Sequence, residues 1–165
     1  MRDAVFDAGP LIYLDALGYL PALSGLYDVV VPDAVSEELA RNKGAFGSGV
    51  PSMEGVAIRT PDGEDSLVVE SGPPAIDAGE KEVIALVLGT GALAIIDDRR
   101  GVRRASRLGV EVAGTLVVLI QIHRAGHAHR TFEEDLGVLD DAGMYLTDAV
   151  KRSAAKLYRG VEDDE

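Results

Sequence analysis

The sequence predicts an α/β fold, a three-layer sandwich in which a central, mostly parallel sheet is flanked by helices. Three observations lead there. Short apolar runs of strand length alternate with longer segments of helical period along most of the chain, the order expected of strand-helix-strand units. The run Leu93, Ala94, Ile95, Ile96 is apolar on both faces, as in a strand covered on either side. At 165 residues the chain fits one domain that can bury a core without staples.

Ala4, Val5 and Phe6 form a first buried strand, stopped by Asp7 and broken at Gly9-Pro10. Leu11 to Leu26 reads as helical, with Leu11, Tyr13, Leu14 and Leu17 at helical spacing, and Gly18 and Pro21 divide it into two short helices. Tyr27 to Val31 is a second strand, closed by Pro32. Asp33 is placed to cap a helix from Ala34 to Arg41 in which Val35, Glu38 and Leu39 share a stripe. Asn42 to Pro51 has Gly or Pro at four of ten positions and reads as a mobile loop. Val56 to Arg59 is a third strand and Asp62 to Pro74 an irregular connection. A helix runs from Asp77 through Gly89. The strand at Leu93 follows, then an Arg-rich helix to Leu108, a strand from Val110 to Ala113 and an apolar helix from Leu116 to His123. The last thirty-odd residues look helical, anchored by Ala149, Val150, Leu157 and Tyr158, with the terminal VEDDE disordered. The expected division is a main domain over 1–138 and a helical extension over 139–165.

Composition narrows the chemistry. With no Cys, disulfides, thiolate zinc sites and cysteine nucleophiles are excluded together. No apolar run reaches the roughly 18 residues of a membrane span, and Asp3 and Asp7 interrupt any signal-peptide layout at the start, so a soluble cytoplasmic protein with no membrane partner is expected. The net charge of -12 opposes encounter with nucleic acid. Against that trend, Arg99, Arg100, Arg103, Arg104 and Arg107 place five of the sixteen basic residues within nine positions. Twelve Arg against four Lys, and sixteen Asp against twelve Glu, hint at a halophilic origin.

The apolar strand at Leu93 ends abruptly in Asp97 and Asp98. In open α/β sheets that carboxyl edge is where ligands and metals bind. Asp7, closing the first strand, is at the same edge. Glu80 shares a helical stripe with Val83, Ile84, Val87 and Leu88, so it faces the sheet from a first turn that lies beside the strands' carboxyl ends. Glu38 is about five residues, or ~7 Å, into its helix, turned inward by Val35 and Leu39, whereas Glu37 points elsewhere. Converging carboxylates repel, so protons or cations must compensate. Hard oxygen ligands without His or Cys favour magnesium or manganese. Such a site suits in-line hydrolysis of a phosphodiester.

Each piece also has a plainer reading. Asp77 and Glu80 fit a capping box, and Asp97 and Asp98 fit helix caps. The Arg run divides evenly between a solvated helix face and phosphate contacts, with Arg99 and Arg100 nearest the acidic edge. His123, His127 and His129 read as surface rather than as a zinc site.

The ordered set DAGPLIYL, VPDAVSEEL, DAGEKEVIAL and IIDDRRGVRRASRLGVEVAGTLVVL, over roughly residues 3 to 126, resembles the PIN domain, in particular the branch related to VapC-type toxins. The resemblance implies a PIN-like sandwich acting as a Mg2+- or Mn2+-dependent endoribonuclease, the toxin of a toxin-antitoxin pair. It carries the acidic positions onto Asp7, Glu38, Glu80 and Asp98, with Asp97 assisting at the metal and Arg99 and Arg100 contacting single-stranded or structured RNA. An antitoxin protein and a second copy in a homodimer are the implied partners. Glu80 and Ile96 depart from the pattern, since many such toxins have Asp at the third acidic position and Thr or Ser before the last pair. The alternative is a PIN-like module that binds or dimerises without turnover. A phosphoacceptor receiver domain fits less well because the Asp pair comes late in the chain, and a haloacid-type phosphatase because Gly9 stands two residues after Asp7.

Overall fold

In the computed structural model, which describes residues 1–41, 55–70 and 75–160, five short strands form one parallel sheet in the order β3-β2-β1-β4-β5. The strands are β1 (Arg2–Phe6), β2 (Tyr27–Pro32), β3 (Ala57–Arg59), β4 (Leu93–Ile95) and β5 (Val112–Ala113). The helices are α1 (Ala8–Leu17), α2 (Asp33–Arg41), α3 (Gly63–Glu70), α4 (Ala78–Thr90), α5 (Arg99–Arg107), α6 (Thr115–Arg124), α7 (Phe132–Asp141) and α8 (Asp148–Arg159), with a 3-10 segment at Leu20–Gly25. The α/β sandwich expected from the alternation of runs is the observed architecture. Among the described residues no helix is long and apolar enough to cross a membrane.

Local chemistry explains most boundaries. Gly18, at φ 77°, ends α1 in the left-handed conformation that a Cβ disfavours, and its N–H closes on Asp15 and Leu14 carbonyls. The 3-10 segment follows directly, with Pro21 in its first turn. Glu82 accepts from the Ala34 N–H at 2.8 Å, so α4 caps the start of α2 while Asp33 accepts instead from the Thr60 hydroxyl.

Beyond that change of cap, the structure differs from the sequence reading in four further places. Residues 63–70, expected to be irregular, form α3: the Glu64 N–H donates to Asp62 Oδ1 at 2.9 Å and Val69 is fully buried. Arg104, expected on a solvated or phosphate-facing surface, is 4% exposed and donates to the Val69 carbonyl, tying α5 to α3. β5 starts at Val112 because the Val110 N–H is used to close α5, donating to the Ala105 carbonyl at 3.0 Å. His123, read as surface, is buried against Asp135.

The expected boundary at 138/139 falls inside α7, and Leu139, Leu146, Ala154 and Ala155 are buried in the same core as the sheet. The loop expected at 42–51 and the tail 161–165 lie outside the described residues.

Candidate active site at the carboxyl edge of the sheet

Register brings the first two acids together. β1 and β4 are neighbours with Phe6 opposite Ile95, and the Asp7 N–H donates to the Ile95 carbonyl at 3.0 Å. Asp7 therefore leaves the sheet beside the turn that carries Asp97 and Asp98. It stands at the start of α1 in extended conformation and is 8% exposed.

α4 begins at the same edge. Its N-cap Asp77 accepts from the Glu80 N–H at 2.8 Å, while Glu80 Oε2 accepts from the Asp77 N–H at 3.1 Å. The capping box foreseen as the plain reading is thus real, yet it does not turn Glu80 outward; Glu80 is 4% exposed. Between Asp77 and Glu80, Gly79 lets α2 and β1 come close. A Cβ there would meet Asp7 Oδ1 and Glu38 Oε2, each at 3.3 Å. Those two oxygens can be no further apart than twice that distance. Glu38 is half-buried and Glu37 exposed, as the stripe of α2 requires.

Asp7, Glu38, Asp77, Glu80, Asp97 and Asp98 line one cleft of about 340 Å³, together with Gly9, Pro10 and Tyr13, and among the described residues no basic side chain joins them. Burial pushes the Asp7 carboxyl up to about 7, against the Ala8 N–H that favours its ionised form, and the charges of Asp77, Glu80 and Glu38 add to the rise. Glu80 is likewise pushed up to about 7, first by burial and then by Asp77, Asp98 and Glu38, with the Asp77 N–H opposing. Glu38 is raised by burial and by Asp77, and Arg41 partly offsets this. Burial and neighbouring carboxylates thus raise Asp7, Glu38 and Glu80 together.

Asp97 and Asp98 divide their work. Asp97 accepts from Thr115 twice, from the N–H at 2.7 Å and from the hydroxyl at 2.5 Å, so both its oxygens pin the start of α6. Its carboxyl is raised by burial, and the Thr115 bonds lower it in part. Asp98 is exposed and caps α5 through the Arg100 N–H at 2.8 Å. Arg99 and Arg100 are exposed on the first turn of α5, outside the acidic lining. Thr115→Val removes the hydroxyl that donates to Asp97 while the backbone N–H bond stays, and a loss of about 1–3 kcal/mol is expected in urea unfolding.

Sequence reasoning missed Asp77 as a cleft acid and Thr115 as a partner of Asp97. Asp77 had a signal: the N-cap of a helix that starts at this edge has its carboxylate there. Among the described residues no three acid or histidine side chains stand placed to hold one ion together. The donor set nevertheless suits a hard divalent cation, being all carboxylate oxygen, crowded and short of positive charge.

No protein of curated function matches the chain. Among solved structures, a PilT N-terminus domain protein from the hyperthermophilic archaeon Sulfolobus solfataricus P2 is similar at 21% identity and a TM-score of 0.48, covering 78% of this chain and 95% of that one. A family model described as a PIN domain matches residues 3–159, nearly the whole length. The chain therefore belongs to the PIN-domain family, whose members are typically nucleases.

Proposed function

We propose that the protein is a Mg2+- or Mn2+-dependent endoribonuclease, of the VapC-like kind, working in the cytoplasm as the toxin of a toxin-antitoxin pair. The observation that supports this most is the cleft itself: six carboxylates from four parts of the chain, no basic side chain among the described residues that line it, and two acids, Asp7 and Glu80, pushed up to about 7 by burial and by neighbouring carboxylates. A divalent ion is the natural counter-charge. When bound, it supplies Lewis-acid activation of a phosphodiester and of the attacking water. Asp7, Glu38, Glu80 and Asp98 are the proposed ligands, with Asp97 near them but committed to Thr115 and so chiefly a holder of the loop.

Arg99 and Arg100, exposed beside Asp98, orient the RNA backbone in this reading. Replacing either by Ala is expected to weaken RNA binding evenly across sequences and to reduce the slope of log affinity against log salt by about 1. Filter binding over a salt series measures both. An antitoxin segment that brings an Arg among the carboxylates would silence the site, and a homodimer is the proposed assembly, tested by sedimentation velocity.

A second reading is a binding or dimerisation module without turnover. It is favoured by the bonds that already engage Glu80, Asp97 and Asp98 with the backbone and Thr115. Purified protein incubated with Mn2+ and a panel of single-stranded and structured RNAs separates the two. Cleavage that EDTA stops supports the nuclease, whereas tight RNA binding with every RNA left intact supports the module.

A further inference from the structure

We infer that Gly101 is a positioning residue matched to Glu80, and that its missing Cβ is what allows a glutamate, longer than aspartate, at this acidic position. Gly101 lies in the first turn of α5 and is buried. Its backbone does not need glycine, because it is not among the residues with positive φ. In a helix a glycine costs roughly 0.5–1 kcal/mol against alanine. Space is the remaining reason for it. A Cβ at 101 would stand 3.1 Å from Glu80 Oε1 and 3.2 Å from Glu80 Cδ, with Ile96 Cγ2 at 2.9 Å.

Glu80 cannot easily swing clear. Its other oxygen, Oε2, is held by the Asp77 N–H in the capping box, and the residue is almost fully buried. The carboxylate plane is therefore gripped from α4 on one side and approached by α5 on the other. An alanine at 101 pushes Oε1 away, breaks the capping box or separates the two helices. One methylene less at position 80 withdraws the carboxylate and removes that conflict. Ile96 would still be crowded, equally in either background.

The consequence for ion binding rests on the proposed metal reading; the steric pairing does not. Four full-length proteins decide both: the natural chain, Gly101→Ala, Glu80→Asp and the double variant. Mn2+ titration followed by electron paramagnetic resonance is expected to show about tenfold or more loss of affinity for Gly101→Ala in the natural background and little further loss in the Glu80→Asp background. Urea unfolding without metal should show the same pattern, the midpoint falling on Gly101→Ala and falling by clearly less when Glu80→Asp is present. Equal falls in both backgrounds assign the whole effect to Ile96 and overturn the pairing, as does no fall in either. If the natural chain binds no Mn2+, the metal reading fails and the urea series alone decides the pairing. If Gly101→Ala gives no folded protein, soluble double variant supports the pairing and insoluble double variant overturns it.

Discussion

Asp7→Asn is expected to cut Mn2+-dependent RNA cleavage by a factor on the order of 10²–10³, the scale on which loss of one preorganised electrostatic group is felt in an active site. The substitution keeps the size of the side chain and removes the charge at the centre of the cleft. It should leave the fold intact, since the contact joining β1 to β4 at this point is made by the backbone N–H of residue 7 and not by its side chain. Single-turnover cleavage of a labelled RNA at saturating Mn2+ measures the loss. Unchanged cleavage would remove Asp7 from the site.

The same variant has a second, opposite effect without metal. In the folded protein the Asp7 carboxyl is pushed from its ordinary value up to about 7. A raised acid contributes stability that is fully present below its unfolded value, near 4, and lost as pH rises through about 7. The natural protein therefore becomes less stable from about pH 4 to about pH 7 on account of Asp7, and Glu80, also at about 7, acts in the same sense. Asn carries no such proton. Asp7→Asn should raise the urea midpoint most at pH 8, less at pH 5, and make little difference below about pH 4. Mn2+ should stabilise the natural chain at pH 8 and release protons as it binds, but do less for the variant. A group that gains stability when mutated while losing function is held in place for binding rather than for folding.

Much of this edge was legible because strand exits are marked in sequence by abrupt changes of polarity. Asp7 and Asp97-Asp98 stand where buried apolar runs stop, and parallel pairing then sets them side by side. The helical period distinguished Glu38 from Glu37, since Glu38 shares its stripe with Val35 and Leu39, both fully buried. Other features were hidden because long-range contacts decide them. Arg104 lies in a run of arginines with no local sign that it turns inward; the Val69 carbonyl that receives it is 35 residues away. α3 has little helical stripe of its own, with Leu67 and Val68 exposed, and depends on packing against α4. Asp77 was read only as a cap because capping is a local explanation, complete in itself, that gives no reason to look across the cleft.

His123 is the largest misreading, and Asp135, which receives it, should be the most sensitive single position for stability away from the cleft. Asp135 is fully buried, accepts from Tyr19 Oη at 2.7 Å and from Arg130 Nε at 2.7 Å, and lies 2.6 Å from His123 Nε2. Arg130 also donates to the Leu17 carbonyl at 2.5 Å. One carboxylate thus ties the end of α1 and the 3-10 entry to α6 and α7. Asp135→Ala leaves several buried donors without their acceptor, for which about 3–5 kcal/mol is expected. At this chain length that lowers the melting temperature by roughly 10 °C or more. Tyr19→Phe should cost only about 1 kcal/mol, because Asp135 keeps its bonds to His123 and Arg130 when one donor is lost. Calorimetry of the two variants tests that asymmetry. Below the melting transition both should bind Mn2+ as the natural chain does, since Asp7, Glu38, Glu80 and Asp98 are positioned by β1, α2, α4 and the β4–α5 turn. A large loss of Mn2+ affinity in folded Asp135→Ala would mean that the buried cluster and the acidic cleft are coupled through α1, which carries Asp7 at its start and meets Tyr19 just beyond its end.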